Sequence, residues 1–159
     1  MRAASWIVLV AAAGFAAVAG GAGCSRTPPG PIAWMDRVEP ACRVAAAENR
    51  RVLLVFWASW DVASADLDRR AFADPRVRAL VAERYVPLRV DRSSTYMQDP
   101  DPNDPVAREA ITATARFSPY ASKYATVLVL APDCATELDR FGALPAEEMA
   151  ERLGRTGYR

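Results

Sequence analysis

The chain has no histidine among its 159 residues, and this absence excludes several common kinds of enzyme. Without imidazole it can form neither a Ser-His nor a Cys-His catalytic pair, and it lacks a frequent ligand of zinc and haem iron. It also lacks an excess of charge of either sign, since 20 basic and 19 acidic residues give a net charge of +1. We therefore expect no nucleic-acid partner. With 52% hydrophobic and 25% charged residues, the composition is that of a globular protein.

Metal-binding patterns are equally scarce. The acidic residues that could surround a divalent ion are Asp61, Asp66 and Asp68, together with Asp99, Asp101 and Asp104 of a proline-rich loop over Asp91–Pro105. The loop lacks the glycine and the terminal glutamate of a calcium-binding loop. We expect a solvated acidic surface, with no metal and no cofactor.

The amino terminus is typical of a bacterial export signal. Arg2 precedes an uncharged stretch from Ala3 to Ser25, and the stretch contains Gly21-Ala22-Gly23-Cys24. Small residues before a cysteine resemble the lipobox, in which that cysteine is lipidated and becomes the first residue of the mature protein. We predict a lipoprotein-type signal peptide at residues 1–23, lipidation of Cys24, a tether at residues 24–31 and a folded domain at residues 32–159.

Two other fates of this segment stay open. Ordinary cleavage near Ala17-Val18-Ala19 would release the domain, and an uncleaved segment is long enough to span a bilayer. All three put the domain outside the cytoplasm, because the positive charge of Arg2 stays inside. Ser25 is not the aspartate that, in the lipoprotein resemblance, favours inner-membrane retention. We therefore expect a lipid anchor on the periplasmic side of the cell envelope, in the outer membrane rather than the inner one.

Hydrophobic periodicity predicts alternating helices and strands. Helices are predicted at Pro40–Asn49, at Val62–Arg84 with a bend at Asp74-Pro75, at Val106–Phe117 and at Pro145–Leu153. Three central strands are predicted at Val52–Trp57, Tyr85–Val90 and Thr126–Leu130, and Thr136–Phe141 pairs with the third as a hairpin. The order αβαβαββα is typical of a mixed sheet flanked by helices.

Several segments, in this order, resemble the thioredoxin fold. They are Val52-Leu-Leu-Val-Phe-Trp-Ala-Ser-Trp60, Ala71-Phe-Ala-Asp-Pro-Arg-Val77, Val86-Pro-Leu-Arg-Val-Asp91 and Phe141-Gly-Ala-Leu-Pro-Ala-Glu-Glu148. The resemblance covers Ile32 to Leu153 and is nearest to the C-terminal domain of the thiol:disulfide interchange proteins. It implies an α/β three-layer sandwich with a mixed central sheet and flanking helices.

The reactive motif of that family is replaced in this chain. In the family a Trp-Cys-x-x-Cys segment follows the first central strand, and the helix end lowers the pKa of the first cysteine. The equivalent residues here are Asp61-Val62-Ala63-Ser64. A carboxylate cannot carry a mixed disulfide, and a serine without a base is not a nucleophile near neutral pH. We expect Asp61 to cap the helix instead.

Two further positions depart from the family pattern. Val55 stands where the resemblance places a buried acid that assists proton transfer, and Ala125 stands where it places a cis-proline facing the dithiol. We predict a trans Tyr124–Ala125 bond and a reshaped loop, since a non-proline cis bond costs about 2.5–4 kcal/mol. Three departures at one site predict a domain without dithiol chemistry.

Cys42 and Cys134 are the thiols that remain if Cys24 is lipidated. We expect a small core residue on the first helix and a turn cysteine after the third strand, at the end of the sheet opposite Asp61. A disulfide between them, structural or redox-active, is the alternative in an oxidising compartment. Neither lies in a Cys-x-x-Cys arrangement, which argues against a catalytic role.

Trp60, Tyr124 and Thr126 are predicted to border the groove of the former active site. An exposed aromatic patch there would bind an extended peptide or a partner protein, whereas ordinary packing is the alternative. The leading hypothesis is a redox-inactive, membrane-tethered module that binds an extracytoplasmic protein or peptide. The competing hypothesis is a thiol-disulfide oxidoreductase that uses a displaced cysteine or a partner's thiols, and it requires Cys42 or Cys134 to lie near Asp61.

Overall fold

The structure, a computed structural model, describes residues 29–93, 101, 103–117 and 124–156. The predicted signal peptide, Cys24 and most of the Asp91–Pro105 loop therefore lie outside the described residues. Within the described ranges, no helix has the length and apolar character needed to cross a bilayer. The same ranges contain no group of three or more Cys, Asp or Glu side chains placed to hold a metal ion.

Four strands form one mixed sheet in the order β2-β1-β3-β4. The strands are β1 (Arg51–Trp57), β2 (Tyr85–Asp91), β3 (Thr126–Leu130) and β4 (Glu137–Phe141). β1 pairs in parallel with β2 and antiparallel with β3, and β3 forms a hairpin with β4. The predicted mixed sheet and terminal hairpin are confirmed.

The prediction that the strand starting at Tyr85 is central is wrong, because β2 lies at one edge of the sheet. Among the described residues, only a short bridge from Met35 pairs with its outer edge. The Met35 N–H donates to the Pro87 carbonyl, and the Met35 carbonyl accepts from the Arg89 N–H. The missing N–H of Pro87 faces this outer side, where no neighbouring strand needs it. The apolar sequence of β2 reports burial of its two faces by helices and says nothing about pairing of its two edges.

Five α-helices flank the sheet in the described part of the chain. They are α1 (Val38–Glu48), α2 (Val62–Asp66), α3 (Pro75–Arg84), α4 (Pro105–Phe117) and α5 (Ala146–Arg155). The single bent helix predicted over Val62–Arg84 is therefore divided. α2 runs into a π-helical turn at Leu67–Ala71, and α3 starts anew with the Asp74 carboxylate accepting the backbone N–H groups of Arg76 and Val77. Asp-Pro is a stronger signal for a helix start than for a bend.

Side chains of β1 alternate between two cores. Val52, Leu54 and Phe56 pack with residues of α1 and α4, whereas Leu53 and Val55 pack with the π-helical turn, α3 and α5. All five side chains are fully buried. This arrangement is the predicted three-layer α/β sandwich, and it explains why the sequence of β1 is apolar without alternation.

An ion pair joins β4 to α5. Arg152 donates two hydrogen bonds of 2.8 Å to the Asp139 carboxylate, from Nε to Oδ2 and from Nη2 to Oδ1. Hydrogen bonding by this guanidinium holds the pKa of Asp139 below its ordinary value. A lowered pKa stabilises the fold above the unfolded-state pKa of about 3.9, and this contribution is lost as the pH falls through the folded-state pKa.

We expect Asp139→Asn to lower the free energy of unfolding by about 1 kcal/mol near neutral pH, because the pair is bidentate but partly exposed. Urea unfolding at about pH 7 and about pH 2.5 measures this effect, and the difference between the variant and the parent should be smaller at the lower pH. Asp36→Asn, which alters an exposed carboxylate far along the chain, is the control. A loss of equal size at both pH values would contradict the linkage.

Candidate functional site

Asp61 caps the amino end of α2. Its Oδ2 accepts a hydrogen bond of 2.7 Å from the backbone N–H of Ser64, and its own backbone is extended, with φ −88° and ψ 123°. A negative charge at this helix end is stabilised by the helix dipole. The predicted cap is therefore present, at the position that the resemblance assigns to the first cysteine.

Ser64, which the resemblance places at the second cysteine position, is fully buried. Its Oγ accepts a hydrogen bond of 3.3 Å from the backbone N–H of Ala58, in the turn between β1 and α2. A buried hydroxyl that holds a neighbouring backbone group in this way has a structural role. Asp61 and Ser64 thus both stabilise the start of α2.

The turn after β1 is also joined to the end of β2. Arg92 donates its backbone N–H to the Trp57 carbonyl, and Ser59 donates its N–H to Ser93 Oγ, both at 2.8 Å. Ser93 in turn donates its backbone N–H and its hydroxyl to Asp91 Oδ1. These bonds hold the residues around Trp60 in a fixed position at the carboxyl ends of two parallel strands.

Ala125 adopts a conformation that proline cannot. Its φ is 55°, in the left-handed region, and its N–H donates a hydrogen bond of 2.9 Å to the Phe56 carbonyl. A proline ring holds φ near about −65° and has no N–H to donate. The loop before β3 is therefore reshaped relative to a proline-containing loop, and the trans geometry of the preceding bond stays a prediction.

Val55 lies in the middle of β1, beside Arg89 of β2 and Val127 of β3. Its side chain is fully buried and packs within the core that contains Leu67 and Ala71. This strand position therefore supplies no carboxylate that could take up or release a proton beneath α2.

Trp60 and Tyr124 meet at the surface beside α2. Their ring centroids are 4.4 Å apart in an edge-to-face arrangement, and the Arg92 guanidinium lies 5.2 Å from the Tyr124 ring centroid. Trp60 remains 46% exposed. We call these three residues the aromatic surface. Thr126, which was also predicted to border the groove, is instead buried as the first residue of β3, because it pairs with Phe56.

Cys42 and Cys134 form a disulfide with a Cα–Cα distance of 5.6 Å. The expectation of two separate thiols is therefore wrong, and the alternative that the sequence left open is correct. The bond joins α1 to the turn after β3, and Cys134 is buried. Two cysteines in a chain predicted to be exported were the available signal, but the sequence does not give the distance between α1 and that turn.

The disulfide lies at the end of the sheet opposite the aromatic surface. Leu130, near the turn, pairs with Val52 at the start of β1, whereas Thr126 pairs with Phe56 near Asp61. The length of β3 separates these ends by about 14 Å, at roughly 3.4 Å per residue. Neither sulfur therefore lies at the start of α2. The competing hypothesis requires one of them to lie there.

Comparison with known proteins agrees with this geometry. Residues 33–124 match the model of a family described as thioredoxin-like. The chain is 41% identical over 49 residues to the thiol:disulfide interchange protein DsbD of Ralstonia nicotianae, and this match covers 31% of the chain and 8% of that protein. The chain thus corresponds to a small part of the length of this relative.

Solved structures show the same architecture at low sequence identity. DsbH oxidoreductase has a TM-score of 0.68 and 12% identity, with coverage of 83% of this chain and 89% of that one. A Thermus thermophilus thioredoxin has a TM-score of 0.59 and 22% identity, covering 79% and 87%. The C-terminal domain of Neisseria meningitidis DsbD has a TM-score of 0.55 and 18% identity, covering 74% and 92%. Because the family model matches more than half of its residues, the chain belongs to the thioredoxin-like family.

Proposed function

We propose that this protein is an extracytoplasmic, membrane-tethered thioredoxin-like module that exchanges no disulfides and binds a polypeptide at its aromatic surface. The observation that carries the proposal is the replacement of both sulfurs at the start of α2 by a helix-capping carboxylate and a buried hydroxyl, Asp61 and Ser64. Relationship to a thiol:disulfide interchange protein and the presence of a disulfide support a location outside the cytoplasm, where disulfides persist.

Disulfide exchange begins with attack of a thiolate on a disulfide sulfur. At the start of α2 the described residues offer a carboxylate and a hydroxyl in place of the two thiols. The Cys134 sulfur is already bonded to Cys42 and belongs to a buried residue. The fold therefore keeps the scaffold of the oxidoreductases while the chemistry that requires sulfur has no starting group at this site.

The aromatic surface has the properties of a protein-binding site. Aromatic side chains provide a large contact area with few rotatable bonds, and exposed ones of this size are enriched in interfaces. Trp60 is held by Tyr124 on one side and by the hydrogen-bonded turn after β1 on the other. A partner would therefore meet a surface that is already ordered, which lowers the entropic cost of binding.

The membrane tether is supported by the uncharged stretch before Cys24 and by the proline-rich residues that follow it. In the described part, Ile32 and Trp34 pack against the core that faces α3 and α5. A tether ending just before Ile32 would therefore connect directly to packed structure. We propose lipidation at Cys24, with outer-membrane attachment favoured by Ser25.

Binding at the aromatic surface is tested with Trp60→Ala in the full chain. Truncating a central interface tryptophan costs at least about 2 kcal/mol, so we expect affinity for an envelope partner to fall roughly 30-fold. Cross-linking in intact envelopes, followed by titration of each captured partner, gives the measurement. Ile111→Ala removes a similarly exposed apolar side chain from α4 and is the control. Equal affinity of the partners for the two variants would show that the aromatic surface is not the binding site.

A further inference from the structure

A separate cavity of about 260 Å³ lies where the tether meets the domain. Its walls are formed by residues 29–33, by the last turns of α3 around Val81 and by the side chains of Arg50 and Arg78. The aromatic surface does not contribute to it. The cavity therefore belongs to a different part of the molecule from the proposed polypeptide site.

Arg78 is the first notable wall residue. It lies on α3 and is partly buried, and its Nε is shielded from solvent without a hydrogen-bond acceptor. Within the described ranges, the Arg78 side chain makes neither an ion pair nor a hydrogen bond. A partly buried guanidinium without a partner is unfavourable, because the loss of hydration is not offset. An anion in the cavity would offset this cost by pairing with the Arg78 guanidinium.

Arg50 is the second notable residue of the cavity wall, and hydrogen bonds to its neighbours hold its side chain in place. Its Nη1 donates to Glu48 at 2.8 Å, and its Nη2 donates to the Ala82 carbonyl at 2.9 Å and to the carbonyl of Tyr85. These contacts leave its Nε buried and without an acceptor. These contacts fix the position of Arg50, so its positive charge is part of the cavity wall without a rearrangement of the side chain.

The lining selects for anions of a particular shape. No Asp or Glu is among the described residues that line the cavity, and the remaining wall is largely proline, alanine, valine and isoleucine. Charge-assisted hydrogen bonds are strengthened beside such apolar groups. A planar carboxylate matches one guanidinium fork, whereas a tetrahedral phosphate can accept from two guanidinium groups at different angles. We propose that this cavity binds the phosphate group of a phosphate ester.

The volume leaves room for part of the ester as well. A water molecule occupies about 30 Å³ of liquid, and a phosphate group displaces only a few such molecules. The ester has two sources, a membrane phospholipid headgroup or a free phosphate ester. The assignment to a phospholipid headgroup rests on the proposed tether, since residues 29–33 closely follow Cys24. The recognition of phosphate by the two arginines does not depend on that tether.

Calorimetric titration of the full chain in an uncharged detergent tests the proposal. The ligands are inorganic phosphate, glycerol 3-phosphate and dihexanoyl phosphatidylglycerol below its micellar concentration, with acetate as the planar control. We expect saturable binding of each ester. Binding of the phosphatidylglycerol at least about tenfold tighter than glycerol 3-phosphate identifies the headgroup source, and the reverse order identifies the free ester. Absence of saturable binding, or equally tight binding of acetate, would overturn the proposal.

Matched variants locate the site. Arg78→Gln should weaken ester binding about tenfold or more, and Arg78→Lys, which keeps the charge but not the fork, should also weaken it. Arg43→Gln removes an exposed arginine from α1 and should leave binding unchanged. Thermal unfolding shows whether each variant is folded. An equal loss in the Arg43 variant would indicate attraction by overall charge and would overturn the assignment. Trp60→Ala leaves this cavity intact, so failure of the polypeptide site and failure of the phosphate site are distinguishable.

Discussion

Reduction of the Cys42–Cys134 disulfide should lower the free energy of unfolding by about 4 to 5 kcal/mol, because the bond restricts the unfolded chain. The two cysteines are 92 residues apart in sequence, so the bond closes a long loop. In the chain-entropy description, the stabilisation increases with the length of that loop. Since domains of this kind have total stabilities of roughly 5–15 kcal/mol, the reduced protein should be close to unfolding.

Urea unfolding of the oxidised protein and of a Cys42→Ser, Cys134→Ser double variant measures this loss. The double variant should resemble the reduced protein. Addition of dithiothreitol should not destabilise the double variant further, which controls for other effects of the reductant. If the free energies of unfolding of the oxidised protein and the double variant differ by less than about 0.5 kcal/mol, the bond adds no stability.

Insulin reduction should be undetectable above the blank with the natural chain and should appear when both sulfurs are supplied by Asp61→Cys with Ser64→Cys. The first new thiol would lie at the start of α2, where the backbone N–H groups and the helix dipole lower a cysteine pKa from about 8.5 toward 7. With dithiothreitol as the electron donor that returns the new pair to the dithiol after each cycle, we expect turnover at least about tenfold above the blank, since this shift makes a large fraction of the thiol reactive near neutral pH. Val55 and the Ala125 loop should keep the rate below that of a thioredoxin.

The single variants serve as controls for this gain of activity. Asp61→Cys alone can form a mixed disulfide but has no resolving thiol, so it should not turn over. Cys42→Ser in the natural sequence tests the displaced-cysteine hypothesis. Turnover by the natural chain that disappears in Cys42→Ser would establish an oxidoreductase and overturn the proposed function.

Much of the fold could be predicted from the sequence because burial leaves a direct record in residue type. The unbroken apolar sequence of Val52–Trp57 reports a strand covered on both faces, and the structure shows two cores on its two sides. The same signal could not distinguish an edge from a central strand in Tyr85–Asp91. Edge pairing involves backbone groups, which are identical in nearly every residue.

Part of the candidate site could also be predicted from the sequence, because some of its features depend only on residue type and local position. Asp61 is a strong capping residue followed by a short helix, so its local role follows from its side chain and its position. The disulfide and the arginine-lined cavity depend on which distant segments come together. The positive φ of Ala125 also could not be predicted from the sequence, because alanine rarely adopts the left-handed region and gives no signal for it.

The covalent link at Cys42 has a mechanical consequence. When the chain is held by its amino end, a pulling force first meets the packing of Ile32 and Trp34 and then the two hydrogen bonds between Met35 and β2. Rupture of these bonds and unwinding of the first turn of α1 would lengthen the chain only as far as Cys42, where the load passes through a covalent bond to the turn before β4. Only the first few residues of the domain can therefore be extended before the hairpin itself bears the force.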